Sequence, residues 1–351
     1  MILRGGGGIN CVIDARRRGG LVQIIGLTII VPATVTPSTG IQAIGLDLTP
    51  PINANPLTIR NCRIQGASPT GAFDGIVVAS RGGPITIQEN VITGTIQATA
   101  IALVGDDFLG GTTPVTATIQ RNRITITGVG TNFGAGIGLT GISGGTVIIQ
   151  RNIIDGGGAT AGAGFGIGLG PDPTIPTTIG ASGAIIRRNT VRNFSDPTTN
   201  NAPVPGTGIV VDASPGAVVE ANLIKDNVWG VLVDPTAPTS GPPFPVVKDN
   251  NITCTNLTTC KSSGFVGLAF DPSNVGVTYN LDARNNFWGA NNGPADSAAG
   301  SNCGGTTATT CDTAPGGGLP ILTGGADDCG TAPGTVRACP SRSSSNLFAG
   351  A

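Results

Sequence analysis

The sequence predicts an all-β protein, a parallel β-helix of about eight to nine coils. Three observations predict it. A phrase of aliphatic residues on either side of a polar corner keeps returning, as in VIIQRNIIDG at 147–156. Between its copies fall apolar phrases of strand length, usually opened by glycine, such as GIGLTG at 136–141 and GIVVDAS at 208–214. No window holds a 3.6-residue apolar period for ten residues, as an ordinary helix would.

In chain order, residues 1–20 read as a lead-in with a partial coil at Cys11-Val12-Ile13 and a solvated turn at Arg16, Arg17 and Arg18. Residues 21–294 read as the solenoid. Its phrase appears as LVQIIGLTII at 21–30, LTIRNCRIQG at 57–66, ITIQENVITG at 85–94 and ATIQRNRITITG at 117–128. After the copy at 147–156 come AIIRRNTVRN at 184–193, AVVEANLIKDN at 217–227, PVVKDNNITC at 245–254 and a divergent LDARNNFWGA at 281–290. Aligned on the last aliphatic residue, the copies give Ile29, Ile64, Ile92, Ile124, Ile154, Val191, Ile224, Ile252 and Trp288, at intervals of 28 to 37 residues. Such intervals suit two or three short strands and are too short for a propeller blade. Stacked at about 4.8 Å, some eight coils make a rod of roughly 40 Å, with inward Ile, Val and Leu supplying most of the stability. Two places before each aligned residue stand Leu27, Cys62, Asn90, Asn122, Asn152, Asn189, Asn222, Asn250 and Asn286. Asn tolerates left-handed geometry at a bend, and stacked amides hydrogen-bond along an axis.

Composition removes several function classes. The 57 glycines follow no three-residue period, charged residues are 11% and the net charge is −1. Collagen, charge-driven disorder and a global attraction to nucleic acid are thereby excluded. Histidine is absent, which removes the commonest acid–base group and metal ligand. The eight cysteines include three close pairs, Cys254–Cys260, Cys303–Cys311 and Cys329–Cys339, expected as disulfides of an oxidising compartment. The pairing of Cys11 and Cys62 stays open. No stretch is long and apolar enough for a membrane helix. MILRGGGG is no signal peptide, so the expected extracellular or cell-surface location has no export signal in this sequence. Residues 295–351, rich in Ser, Thr, Gly and Pro, read as disulfide-pinned loops and a tail.

The coil pattern resembles right-handed parallel β-helix proteins of the pectate-lyase-like group over about residues 10–294. The most specific piece, RNNFWGANNGP at 284–294, is similar to an element that closes many secreted or surface-attached bacterial β-helix proteins, with Phe287 where that element has a Trp. The resemblance implies that Trp288 caps the apolar stack; the rival reading is an aromatic sugar platform. It also implies a fold that hosts lyases, hydrolases, epimerases, adhesins and spacers, so fold alone does not decide function.

A hydrolase of this kind needs carboxylates converging on one groove. One set of acids falls at matching points: Asp212, Asp234 and Asp271 end successive phrases, Asp172 extends the set, and Asp106 with Asp107 lies near. Three readings follow: ordinary Asp-Pro and Asp-x-Ser turns, a shared Ca²⁺, or catalysis. Turn chemistry is preferred, with calcium the only cofactor considered. A second column, Arg121, Arg151 and Arg188, reads as a solvated edge or a stripe for acidic glycan, with Glu89 one coil earlier. Asn193, Asn251 and Asn256 open glycosylation-type triplets, which matter only in a suitable host. The expected function is an extracellular structural protein without catalysis: an adhesin passenger, stalk or filament subunit that stacks end to end. The alternatives are a polysaccharide lyase or hydrolase and a non-catalytic glycan-binding module. No nucleic acid partner is expected.

Overall fold

The computed structural model describes residues 1–4, 11–15, 21–32, 39–44, 56–69, 71–79, 83–105, 114–130, 134–158, 164–170, 179–196, 206–234, 243–263, 265–270, 279–289, 295–296, 320–323 and 334–337. They form three parallel sheets of nine, eleven and ten strands. Each turn visits them in a fixed order. Leu57–Arg60 lies in the third sheet, Arg63–Gly66 in the first and Asp74–Ala79 in the second, and the next turn repeats this with Ile85–Gln88, Val91–Ile96 and Thr99–Val104. About six regular turns result, against the eight to nine expected. From Leu57 to Asp234 every turn places one strand in each sheet. Beyond Asp234 the winding is altered, because the turn that starts at Val246–Lys248 inserts the helix Leu257–Ser262 between its first-sheet and second-sheet strands. Counting copies of the phrase therefore overstates the regular turns.

The core is a set of axial stacks. In the first sheet Ile29, Ile64, Ile92, Ile124, Ile154, Val191, Ile224 and Ile252 are successive register partners. All are at most 1% exposed. The third sheet contributes Ile59, Ile87, Ile119, Ile149, Ile186, Val219 and Val247, and the second Ile41, Ile76, Ile101, Ile137, Ile167, Ile209, Val231 and Leu268. Strand alternation sends each of these inward and its neighbours outward. The glycines that open second-sheet phrases have a packing reason. A Cβ on Gly208 would stand 2.6 Å from the Gly230 carbonyl oxygen and 2.8 Å from Ile224 Cγ2. Gly40, Gly75, Gly136, Gly166 and Gly230 are similarly pressed against a backbone oxygen of the adjoining turn and a first-sheet side chain.

Corners between the third and first sheets are two residues long. The first residue is left-handed: Asn61, Glu89, Arg121, Arg151, Arg188, Ala221, Asp249 and Asn285 all have φ between 53° and 61°. The second is the column residue, Asn in most turns. The left-handed bend expected at the Asn thus sits one residue earlier, and the Asn itself serves the hydrogen-bond ladder. Corners on the other two edges vary in length, which sets the uneven repeat intervals.

Strands continue past residue 294, where an irregular segment was expected. Pro320–Thr323 pairs with Val266–Phe270 and Gly334–Arg337 with Tyr279–Asp282. Cys254 and Cys260 form the expected disulfide, with 6.6 Å between their Cα atoms. Cys303, Cys311, Cys329 and Cys339 lie outside the described residues.

Candidate functional site

Inside the corner, Asn90, Asn122, Asn152, Asn189, Asn222, Asn250 and Asn286 are buried, none above 1% exposed. Oδ1 of Asn152 accepts from the backbone N–H and the Nδ2 of Asn122, both at 2.9 Å. Its own Nδ2 donates to Asn189 Oδ1 at 2.9 Å and to the Ile119 carbonyl at 2.9 Å. The same unit recurs from Asn90 to Asn286. Cys62 holds the place before Asn90. Its N–H donates to Asn90 Oδ1 at 3.0 Å, and its Sγ lies 3.4 Å from the Arg60 carbonyl and 3.6 Å from that of Ile24. Cys62 is a free, buried thiol, raised in pKa mainly by burial, so it takes a ladder position rather than a disulfide. Outside, the sequence concealed a second ladder. Gln120 Nε2 donates to Gln88 Oε1, Gln150 Nε2 to Gln120 Oε1 and Arg187 Nε to Gln150 Oε1, at 2.9, 2.9 and 3.0 Å.

The acidic edge lies on the second sheet. Asp212 and Asp234 are register partners at the ends of Thr207–Asp212 and Trp229–Asp234, both half-buried. Asp212 leans over the preceding turn, where a Cβ on Gly170 would be 3.5 Å from its Oδ2. The following turn is hydrogen-bonded throughout: Ser214 Oγ donates to the Asp212 carbonyl at 2.7 Å and accepts from the Ala181 N–H at 2.9 Å. Asp172 and Asp271, with Asp106 and Asp107, lie outside the described residues.

Four other carboxylates tie neighbouring turns together. Glu89 pairs with Arg121 at 3.3 Å. Asp155 takes Arg192 Nε at 3.0 Å and Asn193 Nδ2 at 2.9 Å. Glu220 pairs with Lys248 at 3.5 Å. Asp226 accepts from Thr255 N–H and Oγ1 at 2.6 and 2.7 Å. Its carboxylate and the sulfurs of Cys254 and Cys260 lie within 4.8 Å of one another. Among the described residues no other such group has three metal-ligand atoms in reach, and the disulfide and Thr255 engage these atoms already.

Burial raises the pKa of the Asp74 carboxyl. Its Oδ1 accepts the N–H groups of Ala98 and Thr99, each at 3.0 Å, across the tight corner of the next turn. A raised native pKa means that the folded state holds this proton more tightly than the unfolded chain. Its contribution is therefore greatest at low pH and falls as pH rises from the ordinary aspartate range through the native pKa. Asp74→Asn keeps an acceptor at Oδ1 without a charge to desolvate. The variant is expected to match or slightly exceed the parent in urea midpoint at pH 7 and to lack that fall; a loss above about 1 kcal/mol would assign Asp74 a need for its charge.

Trp288 continues the first-sheet stack. Phe287 bridges to Asn251, which places Trp288 against Ile252, and Trp288 is 0% exposed. A side chain so enclosed offers no face to a sugar, which removes the platform reading. Its Nε1 has no hydrogen-bond partner among the described residues. The aromatic residues on the outer face are instead Phe165 and Trp229, half-buried on the second sheet. The glycosylation-type triplets also separate: Asn251 is buried, Asn193 is engaged with Asp155, and Asn256 is exposed, capping Thr259 N–H at 3.1 Å. No helix among the described residues is long and apolar enough to cross a membrane.

A family model described as right handed beta helix region matches residues 52–303. No curated protein and no solved structure matches the chain significantly.

Proposed function

The chain belongs to the right-handed β-helix family, and on that premise we propose that it is an extracellular structural rod, a surface passenger or stalk without catalytic activity. The observation that carries this reading is the use of its side-chain chemistry. The buried Asn amides run from turn to turn, the outer Gln amides do the same, and Glu89, Asp155 and Glu220 are joined to bases of the adjoining turn. Groups that could do chemistry are spent on rigidity along one axis. The Cys254–Cys260 disulfide supports an oxidising location, and thiol labelling of the native protein should leave both cysteines unmodified until reduction. We read Trp288 as the cap of the first-sheet stack. We also propose end-to-end stacking of copies, which finding only monomers at high concentration by light scattering would remove.

A second reading is favoured by one observation, the facing pair Asp212 and Asp234 at one end of the second-sheet strands whose other end carries Phe165 and Trp229. It assigns glycan cleavage to that edge, with the pair or a calcium ion between them acting on the sugar. Incubation with acidic and neutral polysaccharides, with and without calcium, separates the two. The structural reading expects no reducing or unsaturated ends from the parent or from D212N/D234N. Product formed by the parent and abolished in that variant would establish the enzyme.

A further inference from the structure

We propose that the corner joining the third and first sheets, over the turns from Arg60 to Arg188, is a docking stripe for a linear acidic polysaccharide. Arg60, Arg63, Arg121, Arg123, Arg151 and Arg188 are all exposed along this corner. Against these six stands one carboxylate, Glu89, which faces Arg121. The whole chain carries a net charge of −1, so the positive field is local. It does not arise from structural ion pairing, since Arg151 and Arg188 make no ion pair among the described residues.

The backbone adds an independent reason. Arg121, Arg151 and Arg188 sit at φ 55°, 56° and 55°, a left-handed conformation unfavourable for a side chain with Cβ and best filled by Gly, Asn or Asp. Equivalent corners elsewhere use Gly26, Asn61, Asp249 and Asn285, and Glu89 and Ala221 fill two more. Three consecutive turns keep Arg at a position where Asn would fold better. A strained residue retained in a row points to use of its side chain.

Geometry selects the partner. Parallel strands repeat at about 4.8 Å, so Arg121, Arg151 and Arg188 present one guanidinium per turn in single file over three turns, with Arg123 beside Arg121, while Arg60 and Arg63 lie beyond the intervening Glu89 turn. A polymer with one carboxylate or sulfate per sugar fits that row, and a guanidinium grips either group with paired hydrogen bonds. A DNA duplex carries a charge every ~1.7 Å of axis, far denser than this row. Single-stranded nucleic acid needs aromatic side chains for stacking, and the corner positions of these turns hold none. The proposal does not depend on the structural reading of the rod.

The test uses the full chain on immobilised polygalacturonate and dextran sulfate, with neutral dextran and single-stranded DNA as comparators. The expected result is salt-dependent retention on the two acidic polysaccharides and none on dextran. R121N/R151N/R188N should weaken binding about tenfold or more and lower the salt slope by roughly two to three. The same variant should melt no lower than the parent, because Asn suits the left-handed corner. A control with the same change of charge, R192Q/K225Q/K248Q, should retain binding. Absence of retention by the parent, unchanged binding by the corner variant, equal loss in the control, or preference for DNA would each overturn the proposal.

Discussion

Asn152→Ala should destabilise the protein by about 3–5 kcal/mol, the largest effect expected of any single polar residue here. The substitution strands two buried groups. The Asn122 N–H loses Asn152 Oδ1, and the Ile119 carbonyl loses Asn152 Nδ2. Each unsatisfied buried group costs about 1–3 kcal/mol, and the void adds to this. The two side-chain atoms that lose Asn152, Asn122 Nδ2 and Asn189 Oδ1, keep one partner each, at the Ile87 carbonyl and the Asn152 N–H, which sets the upper limit. At the edge of the ladder the loss should shrink. Cys62→Ala removes only the two long sulfur contacts and should cost under about 1.5 kcal/mol beyond its lost burial. Urea unfolding of both variants measures this. In a solenoid each turn is held by its neighbours, so a break at Asn152, in the middle, should also broaden the transition. A loss below 1 kcal/mol for Asn152→Ala would mean that the ladder is replaceable by water and does not stiffen the rod.

Gly208→Ala should cost about 2–3 kcal/mol, although Ala is ordinarily the better residue in a folded chain. The added methyl would meet the Gly230 carbonyl oxygen at 2.6 Å, Ile224 Cγ2 at 2.8 Å and Asn227 Nδ2 at 2.9 Å. One obstacle is backbone of the next turn and cannot rotate away, so the second and first sheets must separate locally. Gly144→Ala is the matched comparison: no heavy atom lies within 4 Å of its added methyl, and its expected change is within about 0.5 kcal/mol. Equal thermal stability of the two variants would show that the glycine column is not a packing requirement. The difference bears on function as well, since the Gly column sets how closely the face carrying Asp212 and Asp234 approaches the core.

Much of this architecture was legible in the chain. The aligned residues from Ile29 to Ile252 are register partners in the folded protein, because a buried stack tolerates only apolar side chains of similar shape at each layer. Trp288 falls in the same column for the same reason. The Asn positions were legible as well, since a two-residue corner keeps them at a constant distance from that stack. The site was less legible. Asp212 and Asp234 share a register, but their phrase gives no sign of the Ser214 and Gly170 contacts around them. The Gln88–Gln120–Gln150 ladder left only a faint signal, as one polar residue among several at a strand end.

The sequence by itself determined the periodicity, the inward stacks, the Asn column and the close disulfide, all of which depend on residue type at a fixed spacing within a turn. Tertiary structure decided what spacing cannot express. It moved the left-handed bend from the Asn to the residue before it, because the amide must point into the ladder while its neighbour reverses the chain. It enclosed Trp288, gave Cys62 an amide's place, and carried the strands beyond residue 294. Above all it brought residues about thirty positions apart to within a strand spacing. Arginines scattered among four phrases came to lie along one corner, and two aspartates at the ends of separate strands became a pair.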